Sequence, residues 1–236
     1  MEGRFLKRFF FSKGSIFFII FFSGCSSALY RNEYEEKQTF WYYIGELVVP
    51  EVILNTYRMR DFISSEYFSE LKKNKGDMKA IDEIYNYAFW VTDGDIPQAL
   101  FISAFSTLPY KSTPAKLPLI KLDIMFYFSL ESESNFKKRF NNLPSHFLSD
   151  SPENPFGDKD KLPHYFGSAY LSYITNLKSV PKYVGYMIEV GEAFFNLEGY
   201  FDERDVKVNL MGADYGLALL QDYSYMPSQY LKDIKW

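Results

Sequence analysis

The chain has 236 residues, a net charge of −4 and 47% hydrophobic residues, which is enough for one large domain or two small ones. The small negative charge and the lack of a basic stretch with interleaved aromatic residues argue against a nucleic-acid partner. The sequence also lacks G-x-S-x-G, C-x-x-C, H-E-x-x-H and P-loop motifs, so none of these signatures points to an activity.

Residues 1–24 have the pattern of an export signal. Basic residues between Arg4 and Lys13 precede an apolar run over residues 15–22, which is too short to span about 30 Å of hydrocarbon as a helix. The tetrapeptide F-S-G-C that follows resembles a bacterial lipobox and ends at Cys25, the only cysteine. A lone cysteine in an exported protein has no internal disulfide partner, and acylation with diacylglyceryl and palmitate groups explains its presence. The alternative is an ordinary signal peptide or an uncleaved anchor with an incidental cysteine.

The next two segments are predicted to be a tether and a mostly helical region. Residues 25–39 form the polar tether, and residues 40–157 carry helical hydrophobic patterns. The motif T-D-G-D at residues 92–95 is interpreted as a turn and helix N-cap, because the other ligands of a calcium loop are missing. Helices are predicted over residues 40–59 with a break at Pro50, and over 61–73, 78–91, 96–107 and 131–142, with a loop over 72–77.

A strand is predicted near the end of this region. Apolar and polar residues alternate from Ile120 to Leu130, which is the period of a half-buried strand. We therefore expect a mainly α fold with a small β-hairpin around residues 119–131. Residues 99–110 are one candidate for the partner strand. In the alternative, residues 119–130 form a helix and not a strand. The irregular segment 141–158 is interpreted as a connector or as a lid.

Residues 158–236 are predicted to form a module of three antiparallel helices. The first helix starts near Asp160, the second spans residues 182–197, and the third follows an N-cap at Asp202. Each helix carries one stripe of polar or small residues at helical spacing. The stripes consist of His164, Ser168 and Ser172 in the first helix, Gly185, Glu189, Glu192 and Asn196 in the second, and Asp205, Asn209, Gly212 and Gly216 in the third.

If the three stripes face one another, carboxylates surround one histidine. The candidate site then consists of His164, Asp160, Glu192, Asp205 and Asn209, with Glu189 as the alternative to Glu192. A histidine between carboxylates keeps its proton more readily, and buried charges need partners. The cluster is suited to bind a metal, to act as an acid–base pair or to hold the helices in register, and neither a metal nor a cofactor is defined by the residues.

Two glycines in the third helix predict a close contact with another helix. Gly212 and Gly216 lie on the same helix face, and each costs about 1 kcal/mol relative to alanine inside a helix. A helix that keeps them at this spacing usually needs the space that a side chain would fill.

The motif order in this module resembles the VanZ-like proteins and the YfiM type of predicted periplasmic lipoproteins. D-K-x-x-H-[FY] opens one helix, a glutamate follows in the next, and D-x-x-x-N-x-x-G-x-x-x-G comes last. The resemblance covers about the last third of the chain and implies this arrangement of residues more than an activity. The matching residues are Asp160, Lys161, His164, Tyr165, Glu192, Asp205, Asn209, Gly212 and Gly216. The signal pattern and Cys25 predict a lipid-anchored protein of the bacterial envelope, on the periplasmic face or the outer membrane.

Two functional hypotheses follow. In the first, the protein has a structural or interaction role at the envelope, bound to the membrane through its lipid and to an envelope protein or lipid as a further partner. In the second, it is an envelope hydrolase acting on lipid or cell-wall material. His164 is then the general base or a metal ligand, Asp160 orients it, and Glu192 and Asp205 are its carboxylate partners.

Overall fold

The computed structural model describes residues 50–117, 122–179 and 202–231, with side chains throughout except in most of the two strands. Six α-helices dominate this part of the chain, and the prediction of a mainly α fold is confirmed. None of the described helices is both long and apolar enough to cross a membrane.

Side-chain caps fix where several of the helices begin. In chain order the helices are α1 (Glu51–Ser64), α2 (Glu66–Val91), α3 (Ile96–Ser106), α4 (Glu133–Asn142), α5 (Lys161–Thr175) and α6 (Glu203–Ala218), and a short 3-10 turn, Pro227–Gln229, follows. Helices α2, α3 and α4 each start after a residue whose side chain accepts a hydrogen bond from the backbone N–H three positions later. These N-caps are Ser65, Asp95 and Ser132.

Two predicted boundaries in the first half of the chain are wrong. The predicted helix over residues 61–73 is divided at Ser65, whose extended backbone ends α1 and whose side chain caps α2. The predicted loop over residues 72–77 lies inside α2, which is interrupted only at Gly76, where φ is 81° and ψ is 171°. Glycine adopts a backbone with positive φ at little cost. One glycine therefore produces the kink, and the predicted loop is not formed.

The described chain contains one antiparallel pair of strands, β1 (Ser112–Leu117) and β2 (Leu122–Tyr127). Their register pairs Ser112 with Tyr127 and Leu117 with Leu122, and the residues that join them lie outside the described ranges. The predicted alternation from 120 to 130 includes β2. Its partner is not residues 99–110, most of which belong to α3, because the proline-containing segment after α3 supplies the partner strand instead.

One hydrophobic core includes side chains from both predicted regions, 40–157 and 158–236. Three buried tyrosines illustrate this. The Tyr215 ring of α6 stacks on Tyr165 of α5 with centroids 5.7 Å apart and meets Tyr85 of α2 edge-on at 5.6 Å. The Tyr165 hydroxyl also donates a hydrogen bond to the carbonyl of Pro227, 2.9 Å away, so the core holds the segment after α6 as well.

A buried ionic network, the arginine cluster, joins α1, α3 and α4 and consists of Arg60, Glu131 and Arg139. The guanidinium of Arg139 is fully buried and donates to both Glu131 carboxylate oxygens at 2.6–3.2 Å. It also donates to the carbonyls of Ser106 and Leu108 at 3.0 and 2.8 Å. These carbonyls lie at the C-terminal end of α3, where backbone oxygens lack intrahelical donors and a positive charge is favourable.

The second arginine of this cluster ties the hairpin to the same helix end. Arg60 donates from one nitrogen to the carbonyls of Phe105 and Phe128, at 3.0 and 2.9 Å. Burial lowers the pKa of Arg60 to about 10, and the nearby charge of Arg139 adds to this, while Glu131 opposes it. The single carboxylate therefore offsets part of the repulsion between two buried arginines.

Candidate functional site

Helices α5 and α6 lie side by side and run in the same direction. Lys161 in the first turn of α5 contacts Asp205 in the first turn of α6, and further along both helices Ser168 contacts Asn209. The first and third helices of the predicted module therefore pack directly against each other through their polar stripes. The second predicted helix, 182–197, lies outside the described residues.

The polar contact between the starts of α5 and α6 is centred on Lys161. The Lys161 side chain is 1% exposed, and its ammonium lies 3.0 Å from Asp160, 2.5 Å from Asp202 and 2.7 Å from Asp205. An ammonium has three N–H donors, so these three carboxylates satisfy it fully. Burial on its own lowers the pKa of Lys161, but the hydrogen bonds to Asp202 and Asp205 outweigh this and hold the pKa above its ordinary value. These four residues are named the aspartate cluster.

Within the described part of the chain, the three aspartates have the spacing of a metal site. One oxygen from each carboxylate lies within 4.8 Å of the others. The ammonium of Lys161 lies among these oxygens at 2.5–3.0 Å, and a metal ion placed there would meet its positive charge. The sequence suggested a histidine or a metal at the centre of the carboxylates, whereas the structure has a lysine there.

Asp202 connects this cluster to the start of α6. Its Oδ1 atom accepts a hydrogen bond from the backbone N–H of Arg204 at 2.9 Å, and its Oδ2 atom accepts one from Lys161. Burial raises the pKa of Asp202, but the bonds from Lys161 and Arg204 outweigh it and hold the pKa below its ordinary value. The carboxylate is therefore charged at neutral pH, beside the positive end of the α6 dipole.

The candidate base His164 lies at the edge of the cluster. Its Nε2 atom is 3.7 Å from Asp205, which is too long for a hydrogen bond, and about a third of its side chain is exposed. Asp160, which was predicted to orient this histidine, directs its Oδ2 atom to Lys161. The other oxygen of Asp160 is buried and has no hydrogen-bond partner among the described residues. The lysine therefore takes the place that we assigned to the histidine.

The middle of the α5–α6 contact is built from small residues and one hydrogen bond. The Ser168 hydroxyl donates to the side-chain carbonyl of Asn209 at 2.8 Å, and both residues are buried. Gly212 and Gly216 lie against the carbonyls of Tyr165 and Ala169, and a Cβ atom at either glycine would lie 2.1 Å from the carbonyl oxygen. Only glycine allows the two backbones to approach this closely.

The irregular loop before α5 is bound to the start of α6. Asp158 is fully buried and accepts hydrogen bonds from the backbone N–H groups of residues 147 and 148, at 3.0 Å each, and from Ser151. It also pairs with Arg204, which lies 3.4 Å from Asp150 through its Nε atom. Burial lowers the pKa of Arg204, but the bond to Asp158 outweighs it, so the pKa is held above its ordinary value.

Three predicted positions fall outside the part of the chain that the structure describes, and the other histidine of the chain falls inside it. Cys25, Glu189 and Glu192 lie outside the described residues, so their predicted roles stay predictions. His146 lies in the loop before α5, where its Nδ1 atom is 3.0 Å from the Ser145 hydroxyl and the residue is exposed. This histidine has no described contact with the aspartate cluster.

Two residues that hold the site together were missed by sequence reasoning. Lys161 was matched within D-K-x-x-H but received no role, and Arg204 received no role either. The available signal was their position, since each is a basic residue within two positions of an aspartate at a helix start. A basic residue at that end of a helix opposes the dipole, so its presence there calls for nearby carboxylates.

Comparisons with protein-family models, curated proteins and solved structures find no match to this chain. The VanZ-like and YfiM-type resemblance therefore stays a prediction drawn from the motif residues.

Proposed function

We propose that this chain is a lipid-anchored protein of the bacterial cell envelope, held at Cys25, whose folded part has a structural or interaction role. The observation that supports the structural or interaction role is that the polar side chains between α5 and α6 are paired with one another. Lys161 is enclosed by three aspartates, Ser168 donates to Asn209, and Arg204 is bound by Asp158. These groups are all engaged in joining α5, α6 and the preceding loop.

The chemistry of Lys161 supports a structural role. A lysine that acts as a nucleophile or base must lose its proton near neutral pH, which requires a lowered pKa. The pKa of Lys161 is instead raised, and its ammonium is enclosed by carboxylates. Such a group stabilises a fold for as long as the protein stays below strongly alkaline pH.

The state of Ser168 and His164 supports the same conclusion. The two lie one helical turn apart, as a nucleophile and its base could, but the Ser168 hydroxyl donates to Asn209 and not to His164. His164 faces one carboxylate at 3.7 Å, outside hydrogen-bond reach. A serine hydrolase needs the serine-to-base hydrogen bond, so this pair lacks the geometry for that reaction.

The anchoring half of the proposal is tested by acyl labelling. Cells producing the full chain are fed an alkyne fatty acid, and incorporation is detected by coupling a fluorophore to the purified protein. We expect labelling and membrane association of the full chain, with both lost in Cys25→Ser. Equal membrane association of the two proteins without labelling would contradict lipid anchoring.

The structural half is tested by metal analysis. The full chain is extracted with detergent, purified without chelator and measured by elemental mass spectrometry, beside His164→Ala and Lys161→Met. We expect no stoichiometric zinc, manganese or iron in any of them. A near-stoichiometric metal in the unchanged chain that is lost in His164→Ala would overturn the structural role and favour an envelope hydrolase.

A further inference from the structure

Four aromatic side chains form a continuous row on one side of α1 and α2, named the aromatic stripe: Tyr67, Phe62, Tyr87 and Trp90. Phe62 lies 6.1 Å from Tyr67 and stacks on Tyr87 with a centroid separation of 4.0 Å and an angle of 6° between the rings. Tyr87 lies 5.6 Å from Trp90. The row therefore joins the end of α1 to both halves of the kinked helix α2.

The two ends of the stripe are open to solvent. Trp90 is 70% exposed and Tyr67 is 59% exposed, while Phe62 and Tyr87 are half-buried between them. A single exposed aromatic residue is ordinary, but a connected row of rings that ends in an exposed tryptophan is typical of a binding surface. Trp and Tyr are also the residues that supply much of the binding energy in protein interfaces.

Acidic residues lie along this row, together with one arginine. Asp61 and Glu66 precede Phe62 and Tyr67 in the sequence and are exposed, and Glu83 lies one helical turn before Tyr87 on the same face of α2. Asp93 follows Trp90 and is exposed, and its backbone N–H donates to the Trp90 carbonyl at 3.2 Å. Arg58 is a basic residue beside Tyr87, and its positive charge acts on this ring more strongly than the opposing charge of Asp61 does.

The helix ends add negative potential at Trp90 but oppose each other near Tyr67, where α2 begins at Glu66 directly after the end of α1. α1 ends at Ser64, two residues after Phe62, and α2 ends at Val91, one residue after Trp90. The C-terminal end of a helix carries a partial negative charge. The faces of aromatic rings attract cations as well, and tryptophan attracts them most strongly.

We propose that the aromatic stripe binds a cationic segment of a partner protein, one that presents lysine or arginine side chains to the rings and to the surrounding carboxylates. The occupant is chosen by charge complementarity, since the ring faces, the acidic residues along the row and the C-terminal end of α2 at Trp90 favour positive charge. This inference gives the interaction role proposed above a surface and a class of partner, and it rests on that role.

The test measures binding of fluorescein-labelled deca-arginine to the purified full chain by fluorescence anisotropy at about 0.1 M salt, where exposed charges are partly screened. All proteins carry Cys25→Ser, so failure of lipid anchoring cannot affect the result. We expect Trp90→Ala to weaken binding about fivefold, the size of one cation–π contact. Tyr223→Ala is the matched control, because Tyr223 is 69% exposed and lies outside the stripe, and it should leave the affinity unchanged.

Further variants separate the stripe from general attraction to an acidic protein. Glu83→Gln should weaken deca-arginine binding less than Trp90→Ala, and its effect should shrink as salt is raised. An equal loss of affinity in Tyr223→Ala and Trp90→Ala would overturn the proposal, as would no loss in either.

Two other probes address other occupants of the stripe. The same proteins are titrated with an N-acetylglucosamine hexamer and with phosphatidylcholine vesicles. Binding of either probe that is lost in Trp90→Ala, together with no binding of deca-arginine, would assign the stripe to a glycan or to a bilayer and overturn the cationic partner.

Discussion

The arginine cluster and the aspartate cluster both place cations inside the protein, but their surroundings differ. The arginine cluster has two positive charges and one negative charge, a net of +1, and its arginines and Glu131 are almost completely buried. The aspartate cluster has one positive and three negative charges, a net of −2. Its lysine is buried, but the carboxylates of Asp160 and Asp202 remain 28% and 37% exposed.

The difference follows from the shape of the two cations. A guanidinium has five donors in one plane, so Arg139 satisfies a carboxylate and two backbone carbonyls at once, without water. An ammonium has three donors and pairs here with three carboxylates. The excess negative charge of these carboxylates is stabilised by contact with water. We therefore expect the arginine cluster to act as a sealed structural element and the aspartate cluster to respond to pH.

The largest expected effect is that of Arg139→Met, which breaks the sealed cluster. The variant leaves Glu131 buried without its main partner, and we expect the free energy of unfolding to fall by about 3–5 kcal/mol. Urea unfolding of the full chain carrying Cys25→Ser, followed by circular dichroism, measures it. Lys111→Met is the control, because its partner Glu133 is largely solvent-exposed and the Lys111–Glu133 pair should contribute less than about 1 kcal/mol. Equal losses in the two variants would remove the distinction between sealed and exposed pairs.

Lys161→Met should have the next largest effect. It leaves three neighbouring carboxylates without their cation, but water reaches two of them, so we expect a loss of about 2–3 kcal/mol in the same unfolding measurement. His164→Ala is the matched variant in the same helix and should cost less than about 1 kcal/mol, because its contact with Asp205 is long and partly exposed. A larger loss in His164→Ala than in Lys161→Met would contradict the lysine-centred cluster.

A smaller effect is expected where the two helices touch without charge. Gly212→Ala places a methyl group 2.1 Å from the Tyr165 carbonyl oxygen, so the helices must separate, and we expect a loss of about 1–3 kcal/mol. Gly167→Ala in α5 is the control, since within the described part of the chain no atom beyond the neighbouring turns of its own helix backbone lies within 4 Å of the added carbon. That variant should be neutral or stabilising by up to about 1 kcal/mol, because alanine favours a helix. A stable Gly212→Ala protein would mean that the contact is looser than described.

The smallest effect concerns pH and involves Asp202. Its pKa is lowered in the folded protein, so its stabilising contribution is present above the unfolded value of about 4 and is lost as the pH falls through the folded value. The difference in unfolding free energy between the reference chain and Asp202→Asn should therefore be largest near neutral pH and shrink in acid. Glu133→Gln, at an exposed pair, should show little difference at any pH. A constant difference for Asp202→Asn would contradict the ion pair with Lys161.

Several features of the C-terminal module could be predicted from local sequence. Asp160 and Asp202 stand at the starts of two helices, and the spacing of Asn209, Gly212 and Gly216 indicated one face of α6. Caps and helical spacing depend on residues within a few positions of each other, so a single sequence contains the information.

The centres of both clusters could not be predicted in this way. The partners of Lys161 on α6 come from 41 and 44 residues later in the chain, and a lysine is by default an exposed residue. Arg139 binds backbone carbonyls 31 and 33 residues away. Every residue has a backbone carbonyl, so no pattern of residue types identifies these two. Burial of a charge depends on such distant partners.

The central claim is that Lys161, and not His164, holds the carboxylates between α5 and α6. A pair of double-mutant cycles, measured as free energies of unfolding, tests it most directly: Lys161→Met with Asp205→Asn, and His164→Ala with the same Asp205→Asn. We predict a coupling energy of about 1–3 kcal/mol for the lysine pair and one near zero for the histidine pair. Additive effects in the lysine cycle with strong coupling in the histidine cycle would contradict the claim and restore His164 as the centre of the site.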